Sequence, residues 1–258
     1  MILEEKIVKR SEKDLNVISL NVSLGTYRQL LDWVINAAHR RESRTVCFAN
    51  VHMVIEAKQK PMFAQIVNSA DLILPDGVPL LWAIRLVYGI KQERMTGLDV
   101  LPDLIKRAAV ENLPIFFYGS TDDVLQLTID KCNVLYPSLQ IAGTYSPPFR
   151  ELTEVEETNI VRMISASGAK MVFVALGCPK QEIWISRMRG RIPAVLLAIG
   201  GALPVFAGEI SRSPRWMQKA GLEWFHRLLK EPRRLFKRYA VTNSLYIWYV
   251  GRQWIARK

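Results

Sequence analysis

The sequence is poor in the residues that build metal centres and disulfide frameworks. Its 258 residues include three cysteines, Cys47, Cys132 and Cys178, and three histidines, His39, His52 and His226. The cysteines are widely spaced with no CxxC pair, which excludes a Cys/His zinc site and argues against a disulfide-stapled secreted domain. An odd, sparse cysteine count points to a reducing compartment. Neither GxGxxG nor GxxxxGK[ST] occurs, so a nicotinamide enzyme and a P-loop NTPase both lose ground. There is no Asp-x-Asp pair to hold a metal against a sugar nucleotide. The longest uncharged stretch near membrane-spanning length, residues 192–208, contains Pro193, Gly200, Gly201 and Pro204. It reads as a strand, a loop and the next element, and no transmembrane helix is predicted. The charged start, MILEEKIVKRSEKD, has no apolar core of signal-peptide length, and residues 1–16 read as a disordered leader.

What is present suits a globular protein. Apolar residues make up 50% and charged residues 23%, and the length fits one large domain, or one domain with an appendage. The net charge of +11 is uneven: residues 209–258 carry 12 basic and 3 acidic residues, leaving only +2 on residues 1–208. A near-neutral body with a basic tail suggests an anionic partner for the tail, whether nucleic acid, lipid headgroup or phosphorylated substrate. A solvated basic helix is the plainer reading.

Along the chain, strands alternate with helices. Strands are expected at 17–22, 45–49, 71–74, 114–118, 140–144, 170–176 and 194–199. Helices are expected from the Thr26 cap to 39, over 51–70 with a break before Pro61, and over 79–87, 98–111, 122–135, 153–167 and 179–189. Thr153 and Glu156 have capping-box spacing. The apolar runs IFFY, MVFVAL and AVLLAI suit strands buried on both faces. The pattern predicts an α/β fold, Rossmann-like, with a mostly parallel sheet covered by helices on both faces. That body spans 17–208; residues 209–258 form a basic appendage, an amphipathic helix followed by an aromatic end with Tyr246, Trp248, Tyr249 and Trp254.

Three strand ends share one form: IFFY runs into Gly119-Ser-Thr, VFVAL into Gly177-Cys-Pro-Lys-Gln-Glu182, and LLAI into Gly200-Gly201. In a parallel sheet these lie on the edge where open α/β sheets bind ligands. Glycine lets backbone N–H groups approach a phosphate, Lys180 adds positive charge, and Gln181 brings a donor and an acceptor. Ordinary tight turns explain each loop taken singly; together they point to a nucleotide-phosphate site. Asp76, in a Pro-Asp-Gly turn past a strand end, stands where a catalytic carboxylate belongs, though a turn role fits it equally. Arg94 can neutralise charge on a leaving phosphate, or pair with Glu93 or Asp99. Asp71 reads as a turn or helix-end residue, and His52, beyond Asn50, as packing or capping rather than proton transfer.

Phe48-Ala-Asn50, Ala70-Asp-Leu-Ile-Leu-Pro-Asp-Gly77, Glu93-Arg-Met-Thr-Gly97, Phe117-Tyr-Gly-Ser120, Gly177-Cys-Pro-Lys-Gln-Glu182, Gly200-Gly201, Gly208 and Leu222-Glu-Trp-Phe-His-Arg227 with Glu231-Pro-Arg-Arg234 follow one another along the chain. In that order and spacing they resemble the WecG/TagA/CpsF glycosyltransferases, from about residue 17 to about 240. The resemblance implies transfer of a sugar, of N-acetylaminosugar or uronic acid type, from a UDP-sugar to a polyprenyl-diphosphate-linked saccharide. It implies inversion at the anomeric carbon, and products that feed teichoic acid, exopolysaccharide or other surface polymers. It puts the catalytic base on Asp76. It puts a donor-site arginine on Arg94 and a donor-site glutamine on Gln181. Taken with the strand-end loops and the quoted motifs, donor contacts are expected at Asn50, Arg94, Gly97, Gly119, Gly177, Lys180, Gln181, Glu182, Gly200 and Gly201. The resemblance gives a diphosphate or membrane role to Arg227, Arg233, Arg234, Lys237 and Arg238.

No metal and no cofactor beyond the donor substrate are expected. The expected place is the inner face of the bacterial plasma membrane, peripherally attached to an anionic surface, with no nucleic acid among the partners and self-association left open. One departure is Phe48, where many members carry Thr. The rival reading is a nucleotide- or nucleic-acid-binding protein without transferase activity, because basic residues among aromatics also suit single strands.

Overall fold

The computed structural model describes residues 14–230 and 232–257. The expected leader falls mostly on residues 1–13, outside that set, as do the side chains of Lys219, Arg227, Arg234, Lys237 and Arg238. The first described element is an antiparallel hairpin, β1 (Asp14–Val17) with β2 (Leu20–Ser23). It replaces the single strand expected over 17–22: Ile18 turns the chain with a φ of 61°, and the alternation continues on both sides of that turn.

The body follows as α1 (Tyr27–His39), β3 (Arg44–Ala49), α2 (Val51–Gln59), α3 (Pro61–Asn68), β4 (Leu72–Pro75), α4 (Val78–Tyr88), α5 (Gly97–Val110) and β5 (Ile115–Gly119). It continues as α6 (Asp122–Leu135), β6 (Ile141–Tyr145), α7 (Glu154–Ala166), β7 (Met171–Ala175), α8 (Lys180–Met188), β8 (Val195–Ala198) and α9 (Ala202–Ala207). Local chemistry sets the boundaries. Thr26 and Gln29 form a capping box on α1, and Thr153 and Glu156 form another on α7. Lys60 separates α2 from α3 because Pro61 has no N–H to continue the ladder.

Strands β3 to β8 form one parallel sheet in the order β4-β3-β8-β7-β5-β6. This is the Rossmann-like α/β architecture expected. Successive strand residues feed two separate cores. Cys47, Ile73, Phe116, Tyr118, Val172, Val174 and Leu196 face α2, α3, α4, α7 and α8. Val46, Phe48, Leu74, Phe117, Phe173 and Leu197 face α1, α5, α6 and α9. Each such buried side chain contributes about 1.5–3 kcal/mol. The uninterrupted apolar runs thus have a two-sided cause.

After Gly208 come three helices, α10 (Arg215–Lys219), α11 (Glu223–Lys230) and α12 (Pro232–Ile255), rather than one basic helix and an aromatic end. Helix α12 packs on α2 and α4 and sends Tyr246 and Val250 into the first core. It also holds the hairpin: Ile18 N–H donates to Gln253 Oε1 at 3.0 Å, and Gln253 Nε2 donates to Asn16 O at 2.6 Å. Tyr88 of α4 joins by donating its hydroxyl to Asn16 O.

Asp71, at the opposite sheet edge from the three glycine loops, is a structural carboxylate. Its Oδ1 accepts from Arg44 at 3.0 Å and Arg189 at 2.8 Å, and its Oδ2 from Thr45 N–H at 2.9 Å and Thr45 hydroxyl at 3.1 Å. Replacing it with Asn weakens four hydrogen bonds to a buried group. Asp71→Asn is expected to lower stability by roughly 1–3 kcal/mol, read as a urea midpoint shift, with the turnover of the folded fraction unchanged.

Candidate active site

Parallel pairing brings the carboxyl ends of all six strands to one edge, where Asn50, Asp76, Gly119, Gly177 and Gly200 emerge. Asn50 caps α2, its Oδ1 accepting from Met53 N–H at 3.1 Å, and His52 lies in that helix's first turn. Asp76 N–H donates to Ala49 O at 2.8 Å, tying the Pro-Asp-Gly turn to the end of β3. The side chain of Asp76 is half-buried, one residue before Gly77 and two before α4.

The segment after α4 returns to the same place. Met95 N–H donates to Pro75 O at 3.2 Å, so Arg94 lies beside the β4 end. Gly97 begins α5 under the Thr96 cap; a β-carbon there would stand 3.4 Å from Ile199 O and 3.6 Å from the Ala202 side chain. The start of α5 is therefore pressed against the loop after β8.

The three glycine loops are tight and largely self-satisfied. Gly119 has a φ of 101°, and a β-carbon there would come within 2.6 Å of Ala175 O. Ser120 N–H donates to Ala175 O, Gly200 N–H to Val174 O and Gly177 N–H to Gln181 Oε1. These amides bind the loops to one another in this structure. Gly177 and Gly201 are exposed at the rim, as is Lys180 at the start of α8.

Gln181 and Glu182 lie beneath that rim. Gln181 is buried, and its amide reaches three ways: Oε1 accepts from Gly177 N–H at 3.1 Å, and Nε2 donates to Ala198 O at 2.9 Å and to Glu182 Oε1 at 2.8 Å. It thereby braces the β7 loop against the end of β8. Glu182 is 1% exposed. Burial pushes its carboxyl up to about 7, against the lowering effect of hydrogen bonds from Gln181, its own backbone and Cys178. Phe48, the departure from the family pattern, packs into the core on the α1 and α5 side and is 4% exposed.

The appendage covers the Asp76 side of the edge. A β-carbon on Gly221, whose φ is 74°, would meet Val78 of α4 at 2.9 Å. Arg94 Nη1 donates to Glu223 Oε2 of α11 at 2.5 Å, and Arg94 Nη2 to Asp99 Oδ2 at 3.1 Å. Arg212 Nη2 donates to Asp99 Oδ1 at 2.5 Å and its Nε lies 3.7 Å from Glu223 Oε1. The sequence offered Asp99 as an alternative partner for Arg94; it did not reveal Glu223 or Arg212. The signal available was Glu223 itself, one of only three acids in the tail, within the Leu-Glu-Trp motif. Arg233 is exposed at the start of α12; the side chains of Arg227, Arg234, Lys237 and Arg238 lie outside the described residues.

This arrangement has known relatives. The sequence matches the glycosyl transferase WecG/TagA/CpsF family over residues 15–258. The chain belongs to that family of glycosyltransferases. Two curated relatives share the printed name N-acetylglucosaminyldiphosphoundecaprenol N-acetyl-beta-D-mannosaminyltransferase. The protein of Bacillus spizizenii (strain ATCC 23059 / NRRL B-14472 / W23) is 36% identical over 187 residues, 72% of this chain and 71% of the relative. That of Bacillus subtilis (strain 168) is 36% identical over 173 residues, 67% of this chain and 66% of the relative. Membership accounts for the motif order, and nucleic-acid binding without transfer loses its support.

Among the described residues no group of three or more His, Cys, Asp or Glu is placed to hold a metal, and no helix is long and apolar enough to cross a membrane.

The buried carboxyl gives a pH signature. The folded-state value of Glu182, about 7, lies above its ordinary 4.5, so folding favours the protonated form. Its contribution is fully present below about 4.5 and is lost as pH rises through about 7, by roughly 3 kcal/mol. Glu182→Gln, neutral throughout, is expected to flatten that part of the stability–pH curve, read by urea melts from pH 4.5 to 8.

Proposed function

We propose that the chain transfers an N-acetylaminosugar, of the N-acetylmannosamine type named for its relatives, from a UDP-sugar to a polyprenyl-diphosphate-linked saccharide. The observation that carries this reading is the convergence of Asp76, Arg94 and the glycine loops on the carboxyl edge of the sheet, in a chain of this family. The relatives' printed names support a lipid-linked acceptor.

The proposed chemistry is a direct displacement. The acceptor hydroxyl attacks the anomeric carbon from the face opposite UDP, the new glycosidic bond forms as the bond to the diphosphate breaks, and Asp76 takes the hydroxyl proton. The configuration inverts. Negative charge grows on the departing diphosphate, and in this scheme Arg94, beside the β4 end, and the exposed Lys180, at the start of α8, offset it. In this scheme arginine and lysine, not a protein-held metal, carry the charge stabilisation. Gln181 acts through the Gly177 loop rather than by touching the donor.

The membrane reading rests on α12 and its surroundings. Phe236, Ile247, Trp248 and Ile255 are exposed along this helix, and Arg233 and Arg252 stand among them. Arg252 lies 4.9 Å from the Trp248 ring centre. Of the four aromatics at the aromatic end, Tyr246 is buried in the core and Trp248 is the exposed one; Tyr249 and Trp254 are half-buried. Aromatic rings at headgroup depth and arginines near lipid phosphates suit peripheral attachment to an anionic leaflet, with about 1 kcal/mol for each basic residue at the surface.

The deciding experiment is UDP release across a panel of UDP-sugars with a short-chain prenyl-diphosphate N-acetylglucosamine. UDP-N-acetylmannosamine is expected to turn over, and silence across the whole panel would sink the proposal. Asp76→Asn is expected to lower kcat by about 10²–10⁴ while the thermal midpoint holds. Phe236→Ser with Trp248→Ser is expected to reduce co-sedimentation with phosphatidylglycerol vesicles and leave turnover of a water-soluble acceptor intact.

A further inference from the structure

Helix α4 begins at Val78, two residues beyond Asp76, and its two faces differ. Leu80, Ala83, Ile84 and Val87 join the first core. The outer face keeps large apolar side chains in water: Trp82 is 64% exposed and Leu86 50%, and Ile90, just past the helix, is exposed as well. Val78, Trp82 and Leu86 are four residues apart, so they form one row with steps of about 6 Å along the axis. Arg85 stands beside that row, exposed, with no ion pair and no side-chain hydrogen bond among the described residues. The row has defined ends. At its start Gly221 of the appendage lies against Val78. At its close Arg257 Cζ lies 3.9 Å from the Tyr88 ring centre and Gln253 Nε2 lies 3.4 Å from the Tyr88 hydroxyl, near the end of α12 and its exposed Ile255. A single exposed apolar side chain is ordinary, but a row of them beside an unpaired cation marks a binding face.

We infer that this outer face of α4 is the track for the lipid-linked acceptor, with Trp82 against its sugar, Arg85 on its diphosphate, and Leu86 and Ile90 along its isoprenoid chain. The inference rests on the reading above that the acceptor is a polyprenyl-diphosphate-linked saccharide. The physical argument is order. Such an acceptor runs from the attacking hydroxyl through a sugar ring and a diphosphate to an apolar chain. Helix α4 presents matching chemistry in the same sequence, starting beside the proposed base. The indole face of Trp82 suits the C–H face of a pyranose. Arg85 lies seven residues beyond Val78, about 10 Å along the axis, and its Cα–Cβ bond tilts back toward the Asp76 turn. A guanidinium with no carboxylate partner can give two N–H groups to a diphosphate without first breaking an ion pair. Leu86 and Ile90 then lead toward the end of α12, the helix proposed to meet the bilayer, where the remaining isoprene units stay. The saccharide thus reaches the catalytic edge while the lipid keeps its place in the membrane.

The test uses the full chain in buffer without vesicles, with the UDP-sugar that turns over. The acceptors are geranyl-, farnesyl- and geranylgeranyl-diphosphate N-acetylglucosamine. In the unaltered chain each added isoprene unit is expected to lower the acceptor KM by about three- to tenfold, as partial burial of its carbons predicts. Leu86→Ser with Ile90→Ser is expected to flatten that dependence. Arg85→Gln is expected to raise the acceptor KM about three- to tenfold at every chain length while the KM for the UDP-sugar holds, and Arg85→Lys to recover part of the loss. Trp82→Ala is expected to raise the acceptor KM in the same uniform way. Chain-length dependence that survives the double variant, or an acceptor KM indifferent to both Arg85→Gln and Trp82→Ala, overturns the inference. Variants that lose only co-sedimentation with phosphatidylglycerol vesicles assign the face to the bilayer and overturn it too. If the double variant fails to fold, Arg85→Gln decides alone: an unchanged acceptor KM overturns the inference. Absence of transfer to every acceptor by the unaltered chain overturns it together with the acceptor reading, a result distinguishable from the others.

Discussion

A sheet covered on both faces has nowhere to place a working polar side chain except beyond the ends of its strands. That constraint governs this protein. Every strand of the body gives alternate residues to two cores, and the six carboxyl ends meet at one edge. Asn50, Asp76 and the three glycine loops are at that edge because the interior excludes them. The exceptions confirm the cost. Gln181 enters the buried layer with its amide engaged at both ends, and Glu182 enters with its ionisation suppressed. Asp71, at the other edge, is ionically paired with Arg44 and Arg189.

The same constraint explains why the site draws on the appendage. Loops at a sheet edge are anchored on one side only, and the side over Asp76 is walled by residues from beyond Gly208. Charge does this work beside apolar contact, since Met217 of α10 is buried and Gly221 lies against Val78. The ring of Arg94, Asp99, Arg212 and Glu223 is partly exposed, so its strength depends on what else competes for the guanidiniums. Apolar contact resumes farther along, where α12 settles on α2 and α4.

The body was readable in the sequence because its signals are local. Thr26 and Thr153 announce helix starts, Pro61 a break, and IFFY and MVFVAL two-sided strands, and each element lies within a few residues of its expected place. The hairpin was less legible, since the φ of Ile18 is set by packing and no glycine marks the turn. At the site, position along the chain told which residues come to the edge but not which way they face. Gln181 and Glu182 share a motif with exposed Lys180, yet helical geometry turns them inward. Glu223 and Arg212 escaped notice because their meaning depends on contacts across more than 100 residues, for which a single sequence carries no periodic or capping signal.

The bond between the hairpin and α12 has a consequence for how the chain is made. Asn16 and Ile18 are among the first described residues to leave the ribosome, and Gln253 among the last. At about 5–20 residues per second the hairpin waits many seconds for its partner. During that wait the face of the body that will receive Tyr246 and Val250 is bare apolar surface. The first core is thus completed only once α12 has emerged, and contacts this distant in sequence form late and slowly. Because α12 also carries the outward-facing Phe236 and Trp248, the docking that completes the first core is the same event that sets those exposed rings in place.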